Sequence, residues 1–369
     1  MSIDRVAAVQ AIANVLARHS RGVDRADEGL LAGCYHPDAT VDYRFYAGPA
    51  KDFAAILTGA QKAAPVTLHR TAQMWIAVEG ERAASESYVM AYASSAGEGA
   101  GEGGPATQHL ICGRYLDRHE RRGGEWRLSH RTYVLDTNVN WTGGPGIHAA
   151  LPGLGAPGHQ VPIGGHGAAD AGIALITQAH AKNKARGTEP MSHDAKTIDA
   201  VISRQDISDI TMAYCRGVDR ADVELLAGVF HEGATVVSGA FNGSGAEFAP
   251  AICALVTESY AQTFHSIANQ WIEVDGDGAV GETYVIAVST SRDGATDTLT
   301  GGRYVDRFER RAGRWAIAER TFVLDWTRSE PSTRDMAGGM YGVLDLHGER
   351  GPGDPVYAFM RPALPPHRA

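Results

Sequence analysis

Cysteine is scarce in this chain. There are four in 369 residues (Cys34, Cys112, Cys215 and Cys253), and no two of them form a CxxC pair. A disulfide framework or a zinc knuckle is therefore not expected, and free thiols in a reducing compartment are. A basic excess is also missing. The net charge is −9 and no basic cluster carries interleaved aromatics, which argues against a nucleic-acid partner. No apolar run approaches the roughly 20 residues of a membrane span, so no membrane partner is expected. The opening Met1-Ser2-Ile3-Asp4-Arg5 lacks the basic-then-apolar order of a signal peptide, and a cytoplasmic location is the expectation. The G-x-G spacing in Gly97 to Gly104 follows a strand but opens no helix, and its glutamates would repel phosphate. The five histidines from His148 to His193 show no ligand spacing beside carboxylates. Neither a cofactor nor a metal is expected.

What the chain does contain is a heptapeptide written twice. Arg21-Gly22-Val23-Asp24-Arg25-Ala26-Asp27 returns as Arg216-Gly217-Val218-Asp219-Arg220-Ala221-Asp222, and 15 of 21 positions agree between 21–41 and 216–236. A second block, 113–136 against 302–325, agrees at 15 of 24. The chain is a tandem duplication. The expected division is a first domain over 1–150, a Gly/Pro-rich tail and linker over 151–197, and a second domain with a C-terminal tail over 198–369. The tail, from Gly338 on, is expected to wrap over the second domain. None of the four cysteines recurs at an equivalent place in the two halves.

Within each half, three helices precede a run of strands. Ile12, Val15, Leu16, His19 and Val23 keep the rhythm of one helical face, as do Ile207, Ile210, Thr211, Tyr214 and Val218. His19 and Tyr214 thus put a polar ring on the inward face. Asp27 and Asp222 read as N-caps of a second helix. A third helix is expected over 49–61, and strands over 67–78, 83–93, 108–120 and 126–136. Helices followed by an antiparallel sheet make an α+β arrangement.

Three residue types then stand out in both copies. Period two places Thr67, His69, Thr71, Gln73 and Trp75 on one strand face, and Thr263, His265, Ile267, Asn269 and Trp271 on its counterpart, as in a binding cavity. In the final strand Arg131 sits beside Tyr133 and Leu135, and Arg320 beside Phe322 and Leu324. A buried arginine needs an anionic partner, and Asp24 and Glu86 are the structural candidates. Asp24 and Asp219 have no evident capping duty. A core histidine and a helix-end charge are the plainer alternatives for His69 and Asp24 taken singly. Together, an Asp–His pair fixes the imidazole tautomer and readies the ring to take a proton, while the arginine can stabilise departing negative charge. No serine or cysteine nucleophile recurs in equivalent places, which favours proton transfer over a covalent intermediate.

At these residues the chain resembles the SnoaL-like branch of the nuclear transport factor 2-like superfamily. The group it resembles holds scytalone dehydratase, bile-acid 7α-dehydratase and hexachlorocyclohexane dehydrochlorinase. The resemblance rests on Gly-Val-Asp at 22–24 and 217–219, Thr-Leu-His at 67–69, Thr-Phe-His at 263–265, and Gly-Arg-Tyr-x-Asp-Arg-x-Glu-Arg-Arg at 113–122 and 302–311. It implies two tandem cone-shaped α+β barrels. It places the family dyad on Asp24 with His69 and on Asp219 with His265, and the last-strand arginine on Arg131 and Arg320. Tyr214 fits a polar position that dehydratases use; His19 departs from it. Trp75, Tyr133, Trp271 and Phe322 are the expected substrate-binding aromatics. The implied activity is a cofactor-independent lyase acting on a hydrophobic cyclic or aromatic alcohol, dehydration first. Deformylation of a lignin-derived diaryl alcohol and dehydrohalogenation are the related options. A non-catalytic binder of a steroid-like or polyketide-like ligand, or a single working half, would also suit the sequence. A homo-oligomer is expected, a trimer first.

Overall fold

The computed structural model describes residues 2–63, 67–95, 107–142, 195–238 and 241–360. The loop at 97–104, the passage with its five histidines and the helical stretch expected over 168–184 lie outside them.

Each half runs three helices into a bent six-stranded sheet. In the first, α1 (Ile3–Asp24), α2 (Glu28–Ala32) and α3 (Ala50–Ala63) accompany β1 (Tyr35–Asp42), β2 (Ala47–Pro49), β3 (Leu68–Glu79), β4 (Arg82–Ser95), β5 (Thr107–Arg122) and β6 (Glu125–Thr142). The second half repeats this as α4 (Ala195–Asp219), α5 (Val223–Gly228), α6 (Gly245–Ser259), β7 (Phe230–Val237), β8 (Asn242–Ser244), β9 (Tyr260–Asp275), β10 (Gly278–Ser291), β11 (Thr296–Arg311) and β12 (Arg314–Pro331). The sheet orders correspond: β2-β1-β6-β5-β4-β3 and β8-β7-β12-β11-β10-β9. Pairing is antiparallel except that β1 lies parallel to β6 and β7 to β12. Bulges at Cys112/Gly113 and Arg118/His119 bend the long β5–β6 pair, and Gly301/Gly302 and Arg307/Phe308 do the same for β11–β12. The curved sheet wraps its helices, with Ile12, Leu16, Val23 and Phe53 in one core and Ile207, Val218 and Phe248 in the other. These are two tandem cone-like α+β domains.

The repeated heptapeptide is the hinge piece of each cone. It ends the first helix at Asp24 or Asp219, turns through Ala26 or Ala221 (φ 50° in both), and starts the next helix. Asp27 and Asp222 cap that helix as expected, accepting from the backbone N–H of Leu30 at 2.9 Å and Leu225 at 3.0 Å. The turn must be tight. A Cβ on Gly22 would sit 3.0 Å from the backbone of Leu31.

The tail departs from expectation. It crosses to the first half: Tyr341 and Leu344 join the first core, and His347 bridges Leu135. A short helix, α7 (Pro355–Met360), buries Val356 and Met360 against Ala84, Leu116 and Val134. Asp354 just before it accepts two bonds from Arg114, at 2.7 and 2.8 Å. The apolar outer face of the first sheet needs a cover, and the tail supplies part of it. Around Arg114, Arg216 and Arg220 gather Glu86, Asp136 and Asp354, six fully buried charges of balanced sign where the halves and the tail meet.

Candidate active site

The dyads form in both halves. Asp219, the last residue of α4, faces His265 near the start of β9. Its Oδ1 accepts a hydrogen bond from His265 Nδ1–H at 2.6 Å, and its Oδ2 accepts the His265 backbone N–H at 2.8 Å. Asp24 and His69 do the same at 2.7 and 2.9 Å, and the Thr67 hydroxyl adds a bond to Asp24 at 3.1 Å. With Nδ1 donating to a carboxylate, the neutral ring keeps its lone pair on Nε2, the far atom, as the base. Burial pushes the Asp219 carboxyl up. The His265 ring and backbone N–H, with Arg220 nearby, outweigh burial and hold it below the usual carboxylate range.

The second cone is open. A cavity of about 230 Å³ is lined by Tyr214, Ser238, Phe248, His265, Tyr304 and Phe322 among others. In the first cone the residue equivalent to Ser238 is Tyr43, whose ring stacks 4.4 Å from Phe53 and 5.6 Å from Tyr133. Tyr133 is thereby part of a packed core, whereas its counterpart Phe322 lines a cavity. The polar ring differs too. His19 Nε2 bonds the Tyr35 hydroxyl at 2.8 Å, and burial, then Arg131, then His69 push its pKa well down, so the ring is neutral. At the matching place Tyr214 meets Phe230 edge to face.

The two arginines lie buried on the last strand of each half as expected, but with other carboxylate partners. Arg320 forms a bidentate pair with Asp306, both bonds 2.7 Å, and Arg131 an identical one with Asp117. Neither pairs with Asp24 or Glu86. A buried guanidinium needs this second carboxylate because the dyad aspartate is already spent on histidine. Arg320 lies behind the cavity wall, 4.0 Å from the Tyr214 ring centroid and 4.4 Å from that of Tyr304. Burial lifts both phenol pKa values and the Arg320 charge works against it. Both phenols are O–H donors at neutral pH.

Trp75 faces away from His69. Gln73 adopts φ 48° at a register shift between Ala72 and Met74, and this bulge reverses the period-two alternation. Trp75 then packs under the Arg216 guanidinium, 4.7 Å away, in the second half. The Trp271 side chain lies outside the described residues. Tyr304, Asp306 and Asp117 join the site without having stood out in the sequence, although all three lie in the repeated Gly-Arg-Tyr-x-Asp-Arg motif. Ser238 does so as well, and its signal is the Tyr43 to Ser238 change between copies.

Among the described residues no cluster of three or more His, Cys, Asp or Glu could hold a metal ion, and no helix is long and apolar enough to cross a membrane. All four cysteines are free and buried.

A family model described as "SnoaL-like domain" matches residues 4–132 and again 199–321. Among solved structures, the chain is similar to a putative scytalone dehydratase from Novosphingobium aromaticivorans, 21% identical over 35% of this chain and 87% of that one, TM-score 0.33. It is also similar to the hexachlorocyclohexane dehydrochlorinase LinA-type3 from Novosphingobium barchaimii, 22% identical over 36% and 92%, TM-score 0.33. A protein of unknown function from Mycobacterium tuberculosis is 26% identical over 34% and 72%, TM-score 0.29. No curated protein matches the chain. With the family model matched twice over more than half of its length, the chain belongs to the SnoaL-like domain family, in tandem.

Proposed function

We propose that the second half is a cofactor-independent lyase that eliminates a leaving group from a single-ring, mainly apolar substrate, dehydration being the first form. The observation that carries this is the cavity whose wall holds both the His265–Asp219 base and two protonated phenols. His265 Nε2 takes a proton from carbon, and the freed electron pair forms the new double bond. The neighbouring carbon–oxygen bond breaks, and Tyr214 or Tyr304 donates its proton so that water leaves. Arg320, stacked against both rings, steadies the developing phenolate, which makes it a positioning residue. The imidazolium and phenolate then re-equilibrate through solvent.

Size supports one ring. A cavity of about 150 Å³ holds benzene, so about 230 Å³ suits one substituted ring better than a diaryl alcohol or a steroid-like ligand. The first half keeps its dyad but packs Tyr43 where substrate would sit, so it serves as structural partner.

The test is turnover on a panel of cyclic alcohols and halides carrying an acidic C–H beside the leaving group, followed by mass loss of water or hydrogen halide. His265→Ala and Asp219→Asn are expected to lower the rate by about 10²–10⁴, and His69→Ala and Asp24→Asn to leave most of it. Equal losses from both halves would sink the one-sided assignment. A ligand held unchanged with no product from any panel member would replace the enzyme by a binding protein.

A further inference from the structure

The two cones put one repeated threonine to different use. In the first, the buried Thr67 hydroxyl is held between Asp24 Oδ1 and Gln61 Oε1, 3.1 Å from each. Its counterpart Thr263 is 3% exposed, and its hydroxyl has no hydrogen-bond partner among the described residues. One cause is visible in the repeat: α6 carries Val256 where α3 carries Gln61, and an apolar side chain offers the hydroxyl nothing. Leaving a buried hydroxyl unpaired is costly. Thr263 stands on the wall of the open cavity, two residues before His265 on the same face of β9.

Two further hydroxyls adjoin it. Ser289 on β10 is the direct cross-strand partner of Thr263 and reaches only the Thr298 carbonyl, at 3.5 Å. Thr300 on β11 continues the row that runs from His265 through Ala287. Both line the cavity. The first half has Ala93 and Ile111 at these places, and Ile111 belongs to its core. The hydroxyls are thus gathered in the cone that is open. No cation accompanies them: among the described residues no Lys or Arg lines the cavity, and Arg320 behind the wall is committed to Asp306. A carboxylate or phosphate bound there would be buried without a counter-ion. A neutral oxygen suits the wall.

We propose that Thr263, with Ser289 beside it, binds a second neutral oxygen on the substrate ring, a hydroxyl or carbonyl that stays when the leaving group departs. This rests on the elimination assigned to the second cone, and it narrows the substrate class to oxygenated rings without an acidic group. A strand rises about 3.3 Å per residue, so Thr263 and His265 stand about 7 Å apart, a span that one substituted ring bridges. Anchoring the oxygen at Thr263 lays the opposite side of the ring toward His265.

The first arm of the test needs no turnover. Phenol and toluene, alike in size and different by one hydroxyl, are titrated into the full chain by ligand-observed NMR. Cyclohexanone against methylenecyclohexane repeats the comparison for a carbonyl. Wild type is expected to prefer the oxygenated ring of at least one pair. Thr263→Val is expected to weaken binding of that ring at least about fivefold, the effect of leaving a buried oxygen without its partner. Thr263→Ser keeps the hydroxyl and is expected to restore it, with circular dichroism to confirm that each variant is folded. The second arm takes cyclic alcohols that eliminate water, in pairs with and without an oxygen across the ring. Thr263→Val is expected to raise KM more for the oxygenated member, whereas His265→Ala stops turnover of both. A wild type without preference, or a preference unchanged in Thr263→Val, overturns the proposal. So does an equal fall in kcat for both members with a shifted pH profile, which would make Thr263 a support for Asp219 as Thr67 is for Asp24. If the binding preference holds and no pair turns over, the oxygen site stands and the elimination fails.

Discussion

Replacing Asp354 by alanine removes one carboxylate from a fully buried set of three arginines and three acids. Asp354 accepts from Arg114 at 2.7 and 2.8 Å, lies 3.4 Å from Arg220 Nε, and accepts the backbone N–H groups of Glu349 and Val356 at 2.9 and 3.0 Å. Without it, the three guanidiniums keep Glu86 and Asp136 as their ion-pair partners, leaving the cluster one carboxylate short and out of reach of water. Breaking a buried pair from one side costs about 3–5 kcal/mol. At about 2–4 °C per kcal/mol for a domain near 200 residues, melting should fall by on the order of 10 °C. Asp354→Ala,Arg220→Ala removes one charge of each sign, so its loss should be smaller than the sum of the single losses by at least about 1 kcal/mol. The pH dependence has a definite sign. Burial pushes the Asp354 carboxyl up, but Arg114 and Arg220 outweigh that and hold it far below the usual range. Its contribution is therefore complete above the unfolded value, about pH 4, and is lost as pH falls through the folded one. Denaturant unfolding of wild type and the three variants reads all of this. A single-variant cost under about 1 kcal/mol, or strict additivity in the double variant, would refute the reasoning.

Three further substitutions probe the cone. Ser238→Tyr copies the first half's Tyr43 into the open cavity; turnover should vanish while the unfolding midpoint holds, and an active Ser238→Tyr enzyme would contradict the cavity assignment. Gly302→Ala puts a Cβ 2.6 Å from both the Phe322 ring and the Val323 carbonyl oxygen; a loss of about 1–3 kcal/mol is expected in denaturant titration. Ala221→Gly relieves a residue at φ 50°. Set against the greater freedom of unfolded glycine, a gain of about 0.5–1 kcal/mol is expected from the same titration, and any loss would speak against strain at the turn.

The duplication made much of this legible. Two copies of Asp24-x-Ala26-Asp27 marked a helix end, a turn and a cap, and two copies of the dyad histidine placed Asp and His on facing elements. What stayed hidden has particular causes. The alternation that put Trp75 beside His69 fails at Gln73, where a single bulge residue shifts every later side chain to the opposite face. Asp117 and Asp306 stood in a motif already in view, yet nothing in strand period alone pairs them with an arginine on the neighbouring strand. The crossing of the tail depends on how two complete domains pack, which local pattern does not encode. The unequal cavities follow from one visible substitution, Tyr43 against Ser238, whose meaning appears only once the stacked rings are in place.

The crossing tail also sets an order of events during synthesis. The last strand of the first domain ends at Thr142, but Tyr341, Leu344 and Asp354, which close its core and bind Arg114, are made roughly 200 residues later. At about 5–20 residues per second, the first domain waits on the order of 10–40 s with its sheet uncovered. Until the tail docks, the nascent chain exposes Leu116 and Val134, and Glu86 and Asp136 share the single guanidinium of Arg114, an excess of buried negative charge that only Arg216 and Arg220 of the second domain relieve.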